Sequence, residues 1–407
     1  LTLLEIRPLR PDEIELFVQS CYYAFKGRSV EQRRLDFAGR VAPERNVLVA
    51  FENGELVAHV MIYEFATWIG GARYPTGGLA NVVTAPERAR RGYASQVLRE
   101  TLRWMRDELG QCLSTLYPTV YPLYRGLGWS LADDTRHLAG PPAAFRPNHA
   151  LPHDSGARLV RRLARPEDLD LIRPVYDRFV RERSGYLDRP RWWWEARVLR
   201  TWRPDPSWLA LWYGSDGELA GYVAYWFEGP NGTELTVYDV VALRPEAYQG
   251  ILTFLASHNL VNEVRFTAGS DVPWRLLVAN PHLLHQEIDD KATFMLRVVD
   301  FPRALALRPA PVERLEPVRL RVIDADAPWN DGVWEIHAEG GHWHAVANGA
   351  AAPQAAADIS TVSSLFSGII NVDEAIDAGL LAAPERARRA LASVFHCPYR
   401  PTSRDHF

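Results

Sequence analysis

Leu79-Ala-Asn-Val-Val-Thr-Ala-Pro-Glu-Arg-Ala-Arg-Arg-Gly-Tyr-Ala94 is the stretch on which the reading of this chain turns. Asn81 to Thr84 predicts a strand, with two β-branched residues in succession. Pro86 cannot continue a central ladder, so the strand stops before it. Arg88 to Gly92 reads as a short basic loop closing on glycine. From Tyr93 the apolar residues Val97, Leu98, Leu102 and Met105 follow helical spacing. Strand, basic glycine loop and helix together can hold a pyrophosphate. The first N–H groups of a helix are unpaired, its dipole favours an anion there, and glycine lets the phosphates approach the backbone. The tetrapeptide Ala-Pro-Glu-Arg also occurs at Ala42–Arg45 and Ala383–Arg386, and the last copy runs on through Arg388-Arg389 to Ala390 instead of glycine, with no β-branched strand before it. The context carries the signal, not the string.

The segment resembles the acetyl-coenzyme A (acetyl-CoA) site of the GNAT N-acetyltransferases. In that family a strand, an Arg/Gln-x-x-Gly-x-Gly/Ala loop and a helix cradle the cofactor. Gly92-Tyr93-Ala94 fit the second half of the pattern. Ala89 departs from its first position, and Arg88 or Arg90 are the candidates to supply the missing charge.

Working outward, an internal repeat emerges. Arg7-Pro-Leu-Arg-Pro-Asp-Glu-Ile-Glu-Leu16 echoes Arg162-Leu-Ala-Arg-Pro-Glu-Asp-Leu-Asp-Leu171. Asn53-Gly-Glu-Leu-Val-Ala58 echoes Asp216-Gly-Glu-Leu-Ala-Gly221. The offsets are 155 and 163 residues, so the elements recur in the same order. Two tandem copies of one α/β fold are expected. In the second, Arg244-Pro-Glu-Ala-Tyr-Gln-Gly250 lacks the arginine run and the Gly-x-Ala, which marks that copy as structural. Gly140 to Gly156 and Arg308 to Val312 read as linkers. Beyond them, short strands at Val318–Ile323, Gly332–His337 and Gly341–Val346 precede helices ending near Gly368, Ala378 and Phe395.

The order of three units resembles the Eis-like (enhanced intracellular survival) acetyltransferases. The resemblance implies an α/β (α+β) fold class: tandem GNAT acetyltransferase folds followed by a sterol-carrier-like α/β domain. The expected boundaries are 1–145 for a catalytic unit, 157–303 for a degenerate central unit and 311–407 for the last. It further implies acetyl transfer to a primary amine by direct attack, a small-molecule amine acceptor and a homo-oligomer, with a hexamer among the options.

Site residues follow from the resemblance one by one. Val82, Val83 and Thr84, with Asn81 before them, would offer strand backbone to the pantetheine arm. Arg90, Arg91, Gly92, Tyr93, Ala94 and Ser95 would hold the pyrophosphate. Thr119 falls near the cofactor. In Pro118-Thr-Val-Tyr-Pro-Leu-Tyr-Arg-Gly-Leu-Gly-Trp129, Tyr124 matches the general-acid tyrosine, with Tyr121 and Tyr117 as competitors. A phenol titrates near ~10, close enough to a thiol to protonate a thiolate. The α-carboxylate of Phe407 matches the family's base, with His406 and Asp405 as alternatives on the same tail. Glu31, Asp36 and Glu64 are candidate acids of the acceptor pocket. Cations at Lys26 and Arg28, and His406 in place of an acid, argue against assigning a polycationic acceptor outright.

Composition sets the outer limits. At 407 residues, about two to four domains are expected. A net charge of −4 gives no reason to expect nucleic acid or an anionic membrane as partner. Cys21, Cys112 and Cys397 form no C-x-x-C pair, which fits a reducing cytoplasm. No apolar run of ~18 residues suggests a span. His342 and His344 share a strand face and His337 lies near in sequence, but a solvent-facing hairpin is the stronger reading, so no metal is expected. Trp192-Trp193-Trp194 reads as packing. No Walker A loop, Gly-x-Ser-x-Gly elbow or dinucleotide Gly-x-Gly-x-x-Gly is present. The alternative from another class is a non-catalytic acyl-CoA or lipid-binding sensor, because sterol-carrier-like domains elsewhere bind apolar molecules.

Overall fold

The computed structural model describes residues 4–26, 29–37, 41–149, 156–201, 203–287, 294–310 and 316–407. The first stretch supplies strands β1 (Leu4–Pro8), β2 (Val47–Glu52), β3 (Glu55–Ile69), β4 (Ala72–Thr84), β5 (Leu113–Leu116), β6 (Ser130–Leu131) and β7 (Thr135–Gly140). The middle supplies β8 (Arg158–Leu163), β9 (Tyr186–Leu187), β10 (Trp208–Tyr213), β11 (Leu219–Glu228), β12 (Glu234–Ala242), β13 (Glu263–Gly269), β14 (His285–Glu287) and β15 (Met295–Val298). The last stretch adds β16 (Val318–Ile323), β17 (Gly332–Glu339), β18 (His342–Ala347) and β19 (Ala355–Asp358).

Among the described residues three sheets result, in an α/β molecule. The first is ordered β1-β2-β3-β4-β5-β15-β6, the second β14-β7-β13-β12-β11-β10-β8, the third β18-β17-β16-β19. In the first, β4 runs antiparallel to β3 but parallel to β5, and the parallel register spans only Thr76↔Leu113 to Leu79↔Leu116. β4 therefore continues to Thr84 alone on that side. The second sheet repeats the arrangement. β12 is parallel to β13 from Glu234↔Glu263 to Val237↔Phe266 and then runs on to Ala242.

The repeat is visible in atomic detail. Arg7 grips Glu13 through two 2.7 Å bonds, and Glu13 accepts the Arg10 N–H at 3.0 Å. In the second copy Arg162 grips Asp168, which accepts the Arg165 N–H at 2.9 Å. Each carboxylate thereby satisfies a donor ahead of a helix, Ile14–Ala24 or Leu169–Val180.

The two units exchange strands. β15, from the middle of the chain, lies between β5 and β6, while β7 leaves the first unit to pair with β13. β5 and β13 each have a second edge, on the side away from their parallel partner, and an unpaired edge must be covered. Each unit covers the other's. Consequently the Gly140–Phe145 end of the expected linker is not loose: Ala144 and Phe145 are buried in the second unit's core.

Helix Tyr93–Asp107 covers one face of the first sheet, burying Tyr93, Val97, Leu98, Thr101, Leu102 and Met105. Helix Ile14–Ala24 covers the other with Phe17, Val18 and Cys21. In the third unit Asp358 caps helix Ile359–Ser367, which ends on Gly368 at φ 83°. That helix packs under β15, where Ser363 Oγ accepts the Val298 N–H at 3.0 Å. His337 and His344 stack across the β17–β18 hairpin with centroids 5.8 Å apart. Among the described residues no group of three or more His, Cys, Asp or Glu could hold a metal ion. Nor is any helix long and apolar enough to cross a membrane.

Candidate active site

The open end of β4 begins with a bulge. His59 faces Val83 but Met61 faces Ala80, so β4 carries one extra residue, and Asn81 sits there at φ 49°. The bulge bends the strand away from β5 and re-aims the groups that follow it. A buried histidine holds it. His59 Nδ1 lies 3.0 Å from the Asn81 carbonyl and Nε2 lies 2.9 Å from Ser20 Oγ. A carbonyl only accepts, so Nδ1 carries the proton and Nε2 accepts from the serine. Burial pushes the ring down to about 4, which keeps it neutral. With the Asn81 carbonyl engaged inward, Val82, Val83 and Thr84 form the edge that no strand covers.

After Pro86–Arg88, Arg90 adopts φ 64° and Gly92 φ 82°, and helix Tyr93–Asp107 starts with no side-chain cap. A Cβ at Gly92 would meet only Gln96 Nε2, at 3.8 Å. Glycine is therefore required by the backbone angle rather than by crowding. Gln96 closes the first turn on the Gly92 carbonyl at 3.1 Å. The N–H groups of Tyr93, Ala94 and Ser95 precede that bond and point out of the helix start. The Tyr93 side chain turns inward, its hydroxyl donating to Glu52 at 2.5 Å. Arg90 and Arg91 are exposed and pair with no carboxylate among the described residues. Arg88 does not supply the missing loop charge. It is ion-paired with Glu55 at 2.6 Å and Glu52 at 3.3 Å.

Across the splay, helix Tyr121–Gly126 presents Tyr124, buried edge-on against Trp129. Burial pushes its phenol up to about 12, and Thr119 beside it acts in the opposite sense. Tyr121 is solvent-exposed. Tyr117 is engaged elsewhere, its hydroxyl 2.8 Å from Ser403 Oγ.

That contact belongs to the tail, which is no frayed terminus. Pro401 to Asp405 are buried. The Thr402 N–H donates to Ser184 O at 2.9 Å, and any Cβ on Gly185 would meet the Thr402 carbonyl at 2.6 Å. Ser403 N–H donates to Asp133 at 3.1 Å. Arg404 donates to the Val240 carbonyl at 2.7 Å. Asp405 accepts from Arg189 at 2.9 Å and from Trp193 Nε1 at 3.0 Å, and Arg189 also pairs with Asp239 at 2.6 Å. Asp405 is thus a buried anchor, held through Oδ1 by Arg189 and Trp193. His406 stacks on Tyr117 at 4.3 Å. Phe407 lies edge-on to Phe65 at 5.2 Å and to Tyr63 at 6.0 Å. A Cβ at Gly78 would meet Phe65 at 2.7 Å and Phe407 at 3.0 Å. The last residue therefore rests on β4 itself, four residues before Val82, a span of roughly 10–13 Å along a strand.

Other expected residues fall differently. Glu64 is occupied by Arg45 at 2.9 Å and Asn46 at 3.0 Å, so it is a surface ion pair. Glu31 is exposed, and the Asp36 side chain, Gly27 and Arg28 lie outside the described residues. Trp193 and Trp194 are buried, while Trp192 packs against Tyr63 at 5.7 Å. The sequence reading missed His59, Ser20, Arg189 and Asp239, and named Tyr117 only as a competitor of Tyr124. The one signal for His59 was a histidine among inward-facing apolar residues of β3.

The first unit thus brings together a phosphate-compatible helix start, a bulged and splayed strand and the buried Tyr124. The chain belongs to the GNAT acetyltransferases: regions described as acetyltransferase (GNAT) domain match residues 5–132 and 185–298, together more than half its length. A sterol carrier protein domain matches residues 301–402, which completes the Eis-like layout. An "uncharacterized N-acetyltransferase" of Streptomyces avermitilis is 26% identical over 351 residues, covering 83% of each chain. Among solved structures, a GCN5-related N-acetyltransferase from Anabaena variabilis superposes over all of both chains with a TM-score of 0.86 at 22% identity. Eis1 from Mycobacterium abscessus does so with a TM-score of 0.78, also at 22% identity. These two likenesses establish a shared fold.

Proposed function

We propose that the chain transfers an acetyl group from acetyl-CoA to a primary amine of a small molecule, or of lysine, by direct attack. The observation that carries this reading is the open edge of β4 running into the uncapped, Gly92-started helix. The unpaired N–H groups of Tyr93, Ala94 and Ser95 and the charges of Arg90 and Arg91 suit a pyrophosphate. The Val82–Thr84 backbone suits an amide-rich arm and polarises a thioester carbonyl.

Tyr124 remains a phenol at neutral pH, so it can donate to a leaving thiolate. Its upward shift does not spoil the match. Burial disfavours the charged form of a thiol as it does that of a phenol, so a thiolate leaving beside Tyr124 is shifted in the same direction. The α-carboxylate at Phe407 is the base in this reading. It helps remove the amine proton, with the ring of Phe407 fixing it beside Gly78. Cys21 and Cys112 are packed in hydrophobic cores and Cys397 lies against Arg308, so a covalent acyl-enzyme is not part of the proposal. An assembly of several copies and a cytoplasmic location belong to the same proposal.

The test is thiol release from acetyl-CoA with a panel of aminoglycosides, polyamines, lysine peptides and arylamines. Acceptor-dependent release is expected. Thermal protection by fatty ligands, with no release and no protection by acetyl-CoA, would replace this reading with a lipid-binding role.

A further inference from the structure

The central unit has a cleft where the first has its glycine loop. It measures about 490 Å³ and opens between the end of helix Leu169–Val180, the start of helix Pro245–Ala256 and Tyr399 of the tail. Four arginines line it: Arg178, Arg181, Arg183 and Arg244. Arg183 is ion-paired with buried Asp271 at 2.9 Å and Arg244 with Asp216 at 2.6 Å. Arg178 and Arg181 are exposed and form no ion pair among the described residues. Glu182, also in the lining, is an exposed carboxylate. Asp271 and Asp216 neutralise Arg183 and Arg244, which leaves Arg178 and Arg181 facing Glu182 in the lining, with Asp177 beside the cleft also acting on Arg181, in a concave site that concentrates their field.

One of these donors is already ordered. Arg183 sits 3.7 Å over the Phe179 ring and 4.9 Å from the Tyr399 ring, and it donates to the Phe179 carbonyl at 2.7 Å. The recognition chemistry differs from that of the Gly92 loop. Pro245 opens the helix without an N–H, and Arg244 is extended at φ −140°, with a side chain where the first unit has glycine. The backbone cradle that suits a bridging pyrophosphate is gone. Side-chain forks remain, and these suit the terminal oxygens of a phosphate.

We infer that this cleft binds a small phosphomonoester through Arg178, Arg181 and the pre-ordered Arg183. Tyr399 forms part of its wall, so the ligand lies against the segment that leads to Phe407.

The test is calorimetric titration of inorganic phosphate and of glycerol 3-phosphate into the full chain, with 3′-dephospho-CoA, which carries no phosphomonoester, present in excess. Both titrations are repeated on an Arg90→Gln/Arg91→Gln variant, so that the result does not depend on how the first unit is read. One site per chain is expected, tighter for the ester and retained in that variant. In Arg178→Gln/Arg181→Gln affinity falls at least about tenfold with the melting temperature unchanged, since both side chains are exposed. Heat no greater than that of sodium chloride at equal ionic strength overturns the inference. So does equal affinity in the Arg178→Gln/Arg181→Gln variant. Equal binding of phosphate and ester would overturn the ester as ligand.

Discussion

The first and central units share a strand order, a splay after a short parallel register and an arginine-gripped turn. Even the bulge recurs, since Ala224 faces Asp239 while Tyr225 faces Val237. What fills the splay differs. In the first unit β4 beyond Leu79 lies open to the Gly92 loop. In the central unit the matching edge is cemented by the chain's own tail. Arg404 takes the Val240 carbonyl, and Asp405, Arg189 and Asp239 form a buried ion-paired cluster bonded to Tyr222. One backbone plan can therefore serve as a ligand groove or as a socket. Losing a glycine and gaining buried charge partners turns the groove into the socket. The socket in turn aims Phe407 at the first unit, so in this account the inert copy positions part of the active one.

The largest expected effect breaks the link between the units. Deleting Phe407, or extending the chain beyond it, should lower kcat about 10³-fold, within the range for general base loss, while the Kd for acetyl-CoA stays within about twofold. Steady-state kinetics with calorimetry would check both halves, and a matching loss of acetyl-CoA affinity would show the tail serving the groove itself. Tyr124→Phe should cost about 10²-fold in kcat, with a melting temperature changed by no more than a few degrees. A large stability loss with normal turnover would make Tyr124 a packing residue against Trp129.

Much of the open groove was legible because it is local in sequence. A strand, a proline stop, a glycine and a helical stripe lie within some thirty residues, and the buried face of helix Tyr93–Asp107 is the one its spacing implies. The socket was not legible. Tyr117 meets Ser403 across 286 positions, and Arg189 meets Asp405 across 216. No local pattern distinguishes such arginines and aspartates from surface charges. The exchange of β7 and β15 was hidden for a related reason. Each leaves for the other copy of the same fold, so the repeat reads identically with or without it. His59 was invisible because its role depends on a bulge that only the paired register reveals.

Smaller effects sharpen the contrast. Arg90→Gln/Arg91→Gln should raise the KM for acetyl-CoA about tenfold or more, as expected for losing charge-assisted bonds to phosphate, and leave kcat nearly unchanged. An equal fall in kcat would show that the loop also orders the reacting end. The smallest effect concerns the tail's anchor. Burial pushes Asp133 up to about 7 from its ordinary 3.8, although it accepts from Thr135 and Ser403. Between those values the folded chain holds the extra proton, so this group makes stability fall as pH rises from about 4 to about 7, with no further change above. Asp133→Asn should flatten that slope in melting curves taken across the window, and an unchanged slope would assign it to other groups.

The most direct test of the account is a calorimetric titration of acetyl-CoA into the full chain and into Gly92→Val. The account predicts one site per chain, abolished by the substitution because valine cannot hold φ near 82° without strain. Two sites per chain, or one site that survives the substitution unchanged, would contradict it.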